Sequence, residues 1–245
     1  MSKIAVQLSG VSKRYGTSLA LNRVDLAVRE GELFGVIGEN GAGKTTLIKC
    51  LLDFCQIDDG NVEIFGVPGE LVRARSVLAY LPERFSPPFY LTGVDFLRYM
   101  ASLHACAYDE QRLRDTLARL DFDVRALPRP ARSYSKGMAQ KLALAACLLS
   151  GKPLYVLDEP ASGLDPKARA CLKRELRALR SAGNTVLFAT HDLADAEALC
   201  NRIAVLHGGR VRYAGPPDEF MRRYGAGNLE EAFLACIEHG ATVRH

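Results

Sequence analysis

The stretch GENGAGKT at residues 38–45 carries three glycines, a lysine and a threonine in the spacing G-x-x-x-x-G-K-[ST]. Glycines in such a loop let consecutive backbone N–H groups turn inward and wrap a chain of phosphates. A helix starting there adds its positive end. Lys44 is spaced to reach the outer phosphates and Thr45 to offer a hydroxyl to Mg²⁺. Read alone, the motif is equally a glycine turn. A buried strand before it (LFGVIG) and a helix after it (TTLIKCLLDF) are the context that phosphate binding requires.

A second group lies in LYVLDEP, residues 154–160. Four apolar residues form a buried strand, and Asp158 and Glu159 stand at its C-terminal end, where ligands bind in parallel sheets. Asp158 is placed to serve a Mg²⁺ shell and Glu159 to act on a water near a terminal phosphate. In FATHDL (188–193) a strand ends at Thr190 and puts His191 at the same edge; His104, His207, His239 and His245 have no such context. YSKGMAQK (134–141) sets Ser135 and Gly137 at the head of an apolar-faced helix. On these residues alone a plain helix cap is the stronger reading. In VLAYLPERF (77–85) Pro82 ends an apolar strand and leaves Glu83 where the chain quits the sheet, as loop punctuation or as part of a site.

The elements that must position these groups follow from pattern. Residues 4–34 alternate apolar and polar and predict an antiparallel meander with turns near Gly16 and Gly31. Residues 61–66 read as a short strand. Residues 92–126 read as helices, with Thr92 and Asp95 in capping-box positions and Leu113, Leu117 and Leu120 on one helical face. Beyond Arg132 come a helix from 135, strand 154–158, helix 166–181, strand 185–190, helix 192–200, strand 203–207 and a hairpin at Gly208-Gly209. Strands alternating with helices imply an α/β fold whose parallel sheet is covered on both faces. The helical block 84–134 reads as an insertion between two of its strands, within a single domain spanning 1–245.

Composition narrows the function classes. With 245 residues, 48% hydrophobic and 24% charged, the chain reads as globular. LALAACLL, the most apolar run, is too short for a membrane span. The first residues lack the apolar stretch of a signal peptide, which implies retention in the cytosol. Seven scattered cysteines with no C-x-x-C pair read as buried free thiols of a reducing compartment. A net charge of +4 without a dense basic run does not call for nucleic acid.

Taken together, the motifs resemble those of the ATP-binding subunits of ABC transporters over residues 4–220, in type, order and spacing. GENGAGKT matches Walker A, LYVLDE Walker B, SGLD (162–165) the D-loop and ATHD the switch histidine, while YSKGM resembles the signature sequence. The resemblance implies a P-loop NTPase (RecA-like) core with an N-terminal antiparallel β subdomain and an inserted α-helical subdomain at 84–134, extending into the helix from 135. It implies ATP and Mg²⁺ as cofactors, with nucleotide contacts from Tyr15 (stacking on adenine), Gly38, Asn40, Gly41, Ala42, Gly43, Lys44, Thr45 and Thr46. Glu159, His191 and Lys44 would be catalytic. Two cassettes would pack head to tail, so that Ser135 and Gly137 reach the γ-phosphate of the partner's ATP and Asp165 joins the dimer contact. The family's Q-loop glutamine falls at Glu83, a departure that leaves a carboxylate, whose oxygen Mg²⁺ can also use, as a metal ligand with Thr45 and Asp158. Residues 84–93 would meet a separate transmembrane permease, with the cassette peripheral to the cytoplasmic face of the inner membrane. A periplasmic or accessory partner would fit the same picture.

In the short tail, 221–245, the stretch GNLEEAFLACIEHG (227–240) resembles the end of drug-, polysaccharide- and copper-export ATPases and implies export rather than import. With intact catalytic residues, a homodimer is the default. The alternatives are a soluble ABC ATPase acting on DNA or ribosomes, and a non-catalytic regulatory cassette. The transported substrate is not written in the chain.

Overall fold

The computed structural model describes residues 3–241; His245 and the side chain of His239 lie outside that description. The N-terminal part is an antiparallel sheet of β1 (Ile4–Tyr15), β2 (Ser18–Arg29), β4 (Asp59–Ile64) and β5 (Val67–Pro68), in the order β2-β1-β4-β5. The second sheet has the order β10-β9-β3-β8-β7-β6, from β3 (Leu33–Ile37), β6 (Leu78–Leu81), β7 (Leu154–Asp158), β8 (Thr185–Thr190), β9 (Arg202–His207) and β10 (Arg210–Gly215). Its strands are parallel except for β10.

This division corrects the meander expected over residues 4–34. The hairpin at Gly16 forms, but the chain turning at Gly31 leaves the first sheet, and β3 pairs with β8 and β9. All five residues of β3 are buried. A strand buried on both faces belongs inside a covered parallel sheet, whereas β1 and β2 alternate between core and solvent.

Register places the chemistry. Ile37 pairs with Thr190, Asp158 with Ala189 and Leu81 with Leu157. The loops after β3, β6, β7 and β8 therefore leave one edge of the sheet within a residue or two of each other. Helix α1 (Lys44–Leu51) follows β3 and packs between the sheets, touching β2, β4, β7 and β8. Its buried face of Leu47, Ile48 and Leu51 joins Val6, Leu8, Val36 and Val156 in one core. Burial of each such side chain is worth about 1.5–3 kcal/mol, so the phosphate-loop end of α1 is held from both sides. The helix is shorter than the expected TTLIKCLLDF, because the chain reverses at Asp53, whose φ is 57°.

A short helix, α2 (Val72–Arg75), precedes β6. The helical block consists of α3 (Gly93–Leu103) and α4 (Glu110–Arg119), followed by two single 3₁₀ turns; residues 84–92 are not helical. Thr92 and Asp95 form the expected capping box: the Thr92 hydroxyl accepts from the Asp95 N–H, and the Asp95 carboxylate accepts from the Thr92 N–H. Leu113, Leu117 and Leu120 face one core with α5 (Lys136–Leu149), against which α3 and α4 both pack. Helix α6 (Pro166–Ser181) covers the same core, and α7 (Leu193–Leu199) follows β8. The expected tail is not loose chain within the described residues. Helices α8 (Pro217–Tyr224) and α9 (Leu229–Ala241) bury Phe220, Leu229 and Phe233 against Ile37, Ile203 and Val205.

Candidate functional site

A cleft of about 740 Å³ opens at the shared edge of the parallel sheet. Its walls include Asn40, Gly41, Gly43, Lys44, Thr45 and Thr46 from the glycine loop and α1, Glu83 after β6, Glu159 after β7 and His191 after β8. Each comes from a different strand–loop junction, so the parallel register alone brings them together.

The loop needs its glycines for stated reasons. Gly43 has φ 110°, and a Cβ there would stand 2.6 Å from the Ala20 carbonyl oxygen. A Cβ on Gly38 would meet the Leu206 carbonyl oxygen at 2.3 Å. Ala42, the one residue of this turn with a buried methyl, packs into the core below. Lys44 is buried, and its Nζ donates to the carbonyls of Gly38 (2.6 Å) and Glu39 (3.2 Å), with Glu159 Oε1 at 3.7 Å. Burial lowers the Lys44 pKa, opposed by the charges of Glu159, Asp158 and Glu83. A phosphate chain would take over the role those oxygens now fill.

Glu159 links the site. Its carboxylate lies 2.9 Å from His191 Nδ1 and faces Lys44 on its other side. Its backbone has φ 47°, and its N–H donates to the Ala189 carbonyl at 2.9 Å. A non-glycine residue at positive φ costs on the order of 1–3 kcal/mol and persists only where its surroundings fix it. Here a ladder bond from the neighbouring strand does so, turning the carboxylate into the cleft.

Asp158 lies below. It is 1% exposed, and neither carboxylate oxygen has a hydrogen-bond partner. Burial pushes its pKa up to about 6; the adjacent Thr45 hydroxyl opposes the shift, while Glu83 and Glu159 add to it. An unpartnered buried carboxylate is costly. Two free acceptor oxygens next to a hydroxyl, with Glu83 and Glu159 adding negative charge, are a donor set of the hard-oxygen kind that suits Mg²⁺. The residues present therefore fit that ion. Glu83 is exposed at the cleft wall.

The remaining candidates lie apart. Tyr15, 48% exposed, is not in the cleft wall; its hydroxyl lies beside Thr46, which is. Ser135 and Gly137 are outside the cleft. Ser135 caps α5, its hydroxyl accepting from the Met138 N–H at 3.2 Å, so the cap reading is realised in the single chain. Asp165 likewise caps α6 through the Ala168 N–H.

Sequence reasoning missed several residues. Ser18, Leu19 and Ala20 on β2 and Gly208-Gly209 between β9 and β10 also line the cleft. A Cβ on Gly209 would stand 2.7 Å from the Ala20 carbonyl, so close backbone approach explains the second glycine. The glycine pair was the available signal, and a hairpin turn accounted for it too cheaply. Also unforeseen was a seam between α5 and the loop after β7. Gln140 Nε2 donates to the Pro160 carbonyl (3.1 Å), Lys136 Nζ donates to Ser162 Oγ (3.0 Å), and Gly137 sits close against the Gly163 carbonyl. Ser162 lines the cleft, so this seam joins the start of α5 to it.

Known proteins share this arrangement. The family profile described as ABC transporter matches residues 21–162. A daunorubicin resistance ATP-binding protein from Streptomyces coeruleorubidus is 35% identical over 99% of this chain and 78% of its own length. A Nod factor export ATP-binding protein I from Rhizobium sp. (strain N33) is 34% identical over 95% of this chain and 78% of its own. A solved ATP-binding subunit of an ABC transporter superposes with a TM-score of 0.87 at 32% identity, covering 95% of this chain and 99% of that one. The cassette MJ0796, solved as a dimer in a post-hydrolysis state with ADP and Pi, shares the fold at a TM-score of 0.78 and 24% identity. Its own motifs, a profile covering more than half its length and relatives spanning nearly all of it agree: the chain belongs to the ABC transporter family, as an ATP-binding subunit.

Proposed function

We propose that this chain powers export through a separate membrane permease by hydrolysing MgATP between two copies of itself. The observation that carries the site assignment is Glu159, bridging Lys44 and His191 above the unpartnered Asp158. The relatives named for drug resistance and Nod factor export support the direction.

In this reading the backbone N–H groups of residues 38–46 wrap the phosphates, and Lys44 exchanges its carbonyl partners for phosphate oxygens. Tyr15 stacks on the adenine. Thr45 and Asp158 would hold Mg²⁺, with Glu83 at the cleft wall beside them, and when bound the ion would supply positive charge against the phosphates. Glu159 accepts a proton from the attacking water, and His191 orients that carboxylate and contacts the γ-phosphate. Ser135 and Gly137 of a second copy close the site, and Asp165 lies in the contact between copies.

Residues 84–93 meet the permease. Phe89 and Tyr90 are 69% and 72% exposed there, with ring centroids 5.5 Å apart. Among the described residues no helix is long and apolar enough to cross a membrane, which supports a peripheral subunit on the cytoplasmic face of the inner membrane. The block 84–134 acts as the inserted helical unit between those two contacts.

Glu159→Gln tests the reading. It keeps the side chain's shape and removes its basicity. Hydrolysis falls by at least the order of 10²-fold expected for loss of a general base, and the protein elutes as an ATP-dependent dimer. A variant that hydrolyses ATP at the wild-type rate would remove Glu159 from its role.

A further inference from the structure

Seven cysteines are scattered through the sequence, and the fold brings two of them together. Helix α1 ends at Leu51 and the chain turns back through Asp53 at positive φ. The Phe54 N–H donates to the Lys49 carbonyl at 2.8 Å and the Asp53 N–H to the Cys50 carbonyl at 3.2 Å. This reversal returns Cys55 over the last helical turn, with its Sγ 3.5 Å from Cys50 Sγ. Both thiols line a cavity of about 370 Å³, bounded also by Asp53, Gly60 and Glu63. Cys50 is 4% exposed, while Cys55 is only half-buried. Tyr15 stands close by, its hydroxyl beside both Cys55 and Thr46. The pair is thus one side chain away from Thr46, with Cys50 on the helix that begins with Lys44 and Cys55 just beyond its end.

We propose that Cys50 and Cys55 form a dithiol modification site which hydroperoxides close to an intramolecular disulfide, and that closure weakens nucleotide binding through Tyr15 and α1. The second half rests on the cleft being the nucleotide site; the first does not.

Cys55, the more exposed sulfur, attacks a peroxide oxygen. The O–O bond breaks, the leaving oxygen departs with the thiol proton as water when the oxidant is hydrogen peroxide, and Cys55 becomes a sulfenic acid. Cys50 then attacks that sulfur. The S–O bond breaks, and hydroxide leaves with the Cys50 proton as a second water. Two thiols and one peroxide give one disulfide and two waters, a two-electron exchange. Burial and the neighbouring Cys55 push the Cys50 pKa up to about 12, which keeps it a thiol and leaves first attack to Cys55. The sulfurs must close from 3.5 Å to the disulfide length of about 2.05 Å, a movement of side chains at the end of a turn. Cys55 then gives up its contact with Tyr15.

The test is peroxide treatment of reduced full-length protein, followed by tryptic mapping without reductant. The peptide spanning 50–73 carries both cysteines, and it is expected to lose two hydrogens before the other five cysteines react. In Cys50→Ser, oxidation stops at the Cys55 sulfenic acid, which dimedone traps; in Cys55→Ser, Cys50 gives no such adduct. A 50–73 peptide that stays reduced while other cysteines are modified overturns the site, as does equal dimedone labelling of the two variants. Oxidised wild type is expected to show a several-fold higher KM for ATP with little change in kcat, reversed by dithiothreitol and absent from the Cys50→Ser variant. An unchanged KM in fully oxidised protein overturns the link to Tyr15. Failure of the reduced protein to bind ATP would instead count against the cleft, with the mapping result standing on its own.

Discussion

The edge of the parallel sheet and the start of α5 both present polar groups, but only the first is wired within one chain. Lys44 and Asp158 are buried, so their polar atoms cannot turn to solvent. Lys44 is tied to two carbonyls and Glu159, and Asp158 is left with both oxygens unpartnered. At the start of α5, Ser135 and Lys136 are exposed. One hydroxyl caps the helix and one ammonium reaches Ser162. Burial without partners costs stability, so folding of a single chain does not call for Asp158, whereas a bound cation would. The second region makes an ordinary cap and a close backbone approach of Gly137 to Gly163 within one chain, so the contact with a partner's ligand proposed for Ser135 and Gly137 needs a test of its own.

The sharpest way to break that contrast is Ser135→Asp. Aspartate caps a helix as well as serine does, so the fold is expected to keep its melting temperature. A carboxylate facing a γ-phosphate repels it, and ATPase activity is expected to drop on the order of 10²-fold or more, comparable to losing a preorganised transition-state donor. Full activity would reduce Ser135 to a cap.

The next effect lies in the buried carboxylate. In Mg²⁺-free protein the folded Asp158 pKa of about 6 lies above its ordinary value of 3.8. The folded state then binds more protons than the unfolded state between these values. The Asp158 contribution is therefore fully present below the lower value and is lost as pH rises through the upper one. The loss is up to about 3 kcal/mol at about 1.4 kcal/mol per pKa unit. Asp158→Asn cannot ionise, so melting temperatures across pH 4–7 should show the wild type losing stability relative to this variant. Parallel profiles would mean that the Asp158 carboxylate is already paired.

The smallest effect is expected at Glu83, which lines the cleft but is exposed to solvent. Glu83→Gln should retain ATP binding, with a change in KM of no more than about tenfold, the equivalent of about 1.4 kcal/mol. Loss of nucleotide binding altogether would mean that position 83 is wrongly assigned.

Much of this was legible because its cause is local. Helix α6 runs from Pro166 to Ser181 as expected, since Asp165 caps it, Pro166 suits its first turn and Gly183 ends it. The capping box at Thr92 and the leucine face of α4 are local in the same way. Illegible features came from chain segments distant in sequence. LFGVIG reads as a buried strand, but nothing local says that β3 pairs with β8, some 150 residues away. Ser18–Ala20 and Gly209 reach the cleft only because the two sheets meet edge to edge, where the Asn22 N–H donates to the Gly209 carbonyl at 2.8 Å. Cys50 and Cys55 looked like two more scattered thiols until the turn at Asp53 folded one onto the other.

By itself the sequence determined the phosphate loop, the acidic strand end, the histidine and the order of strands and helices, because each depends on residue type and spacing along a few turns of chain. Tertiary structure alone decided that Glu159 takes a positive φ between Lys44 and His191, and that Asp158 is buried without partners. It also decided that the start of α5 is stitched to Ser162. Those outcomes depend on which strands pair and at what register, a choice made by burying apolar surface from segments far apart in sequence.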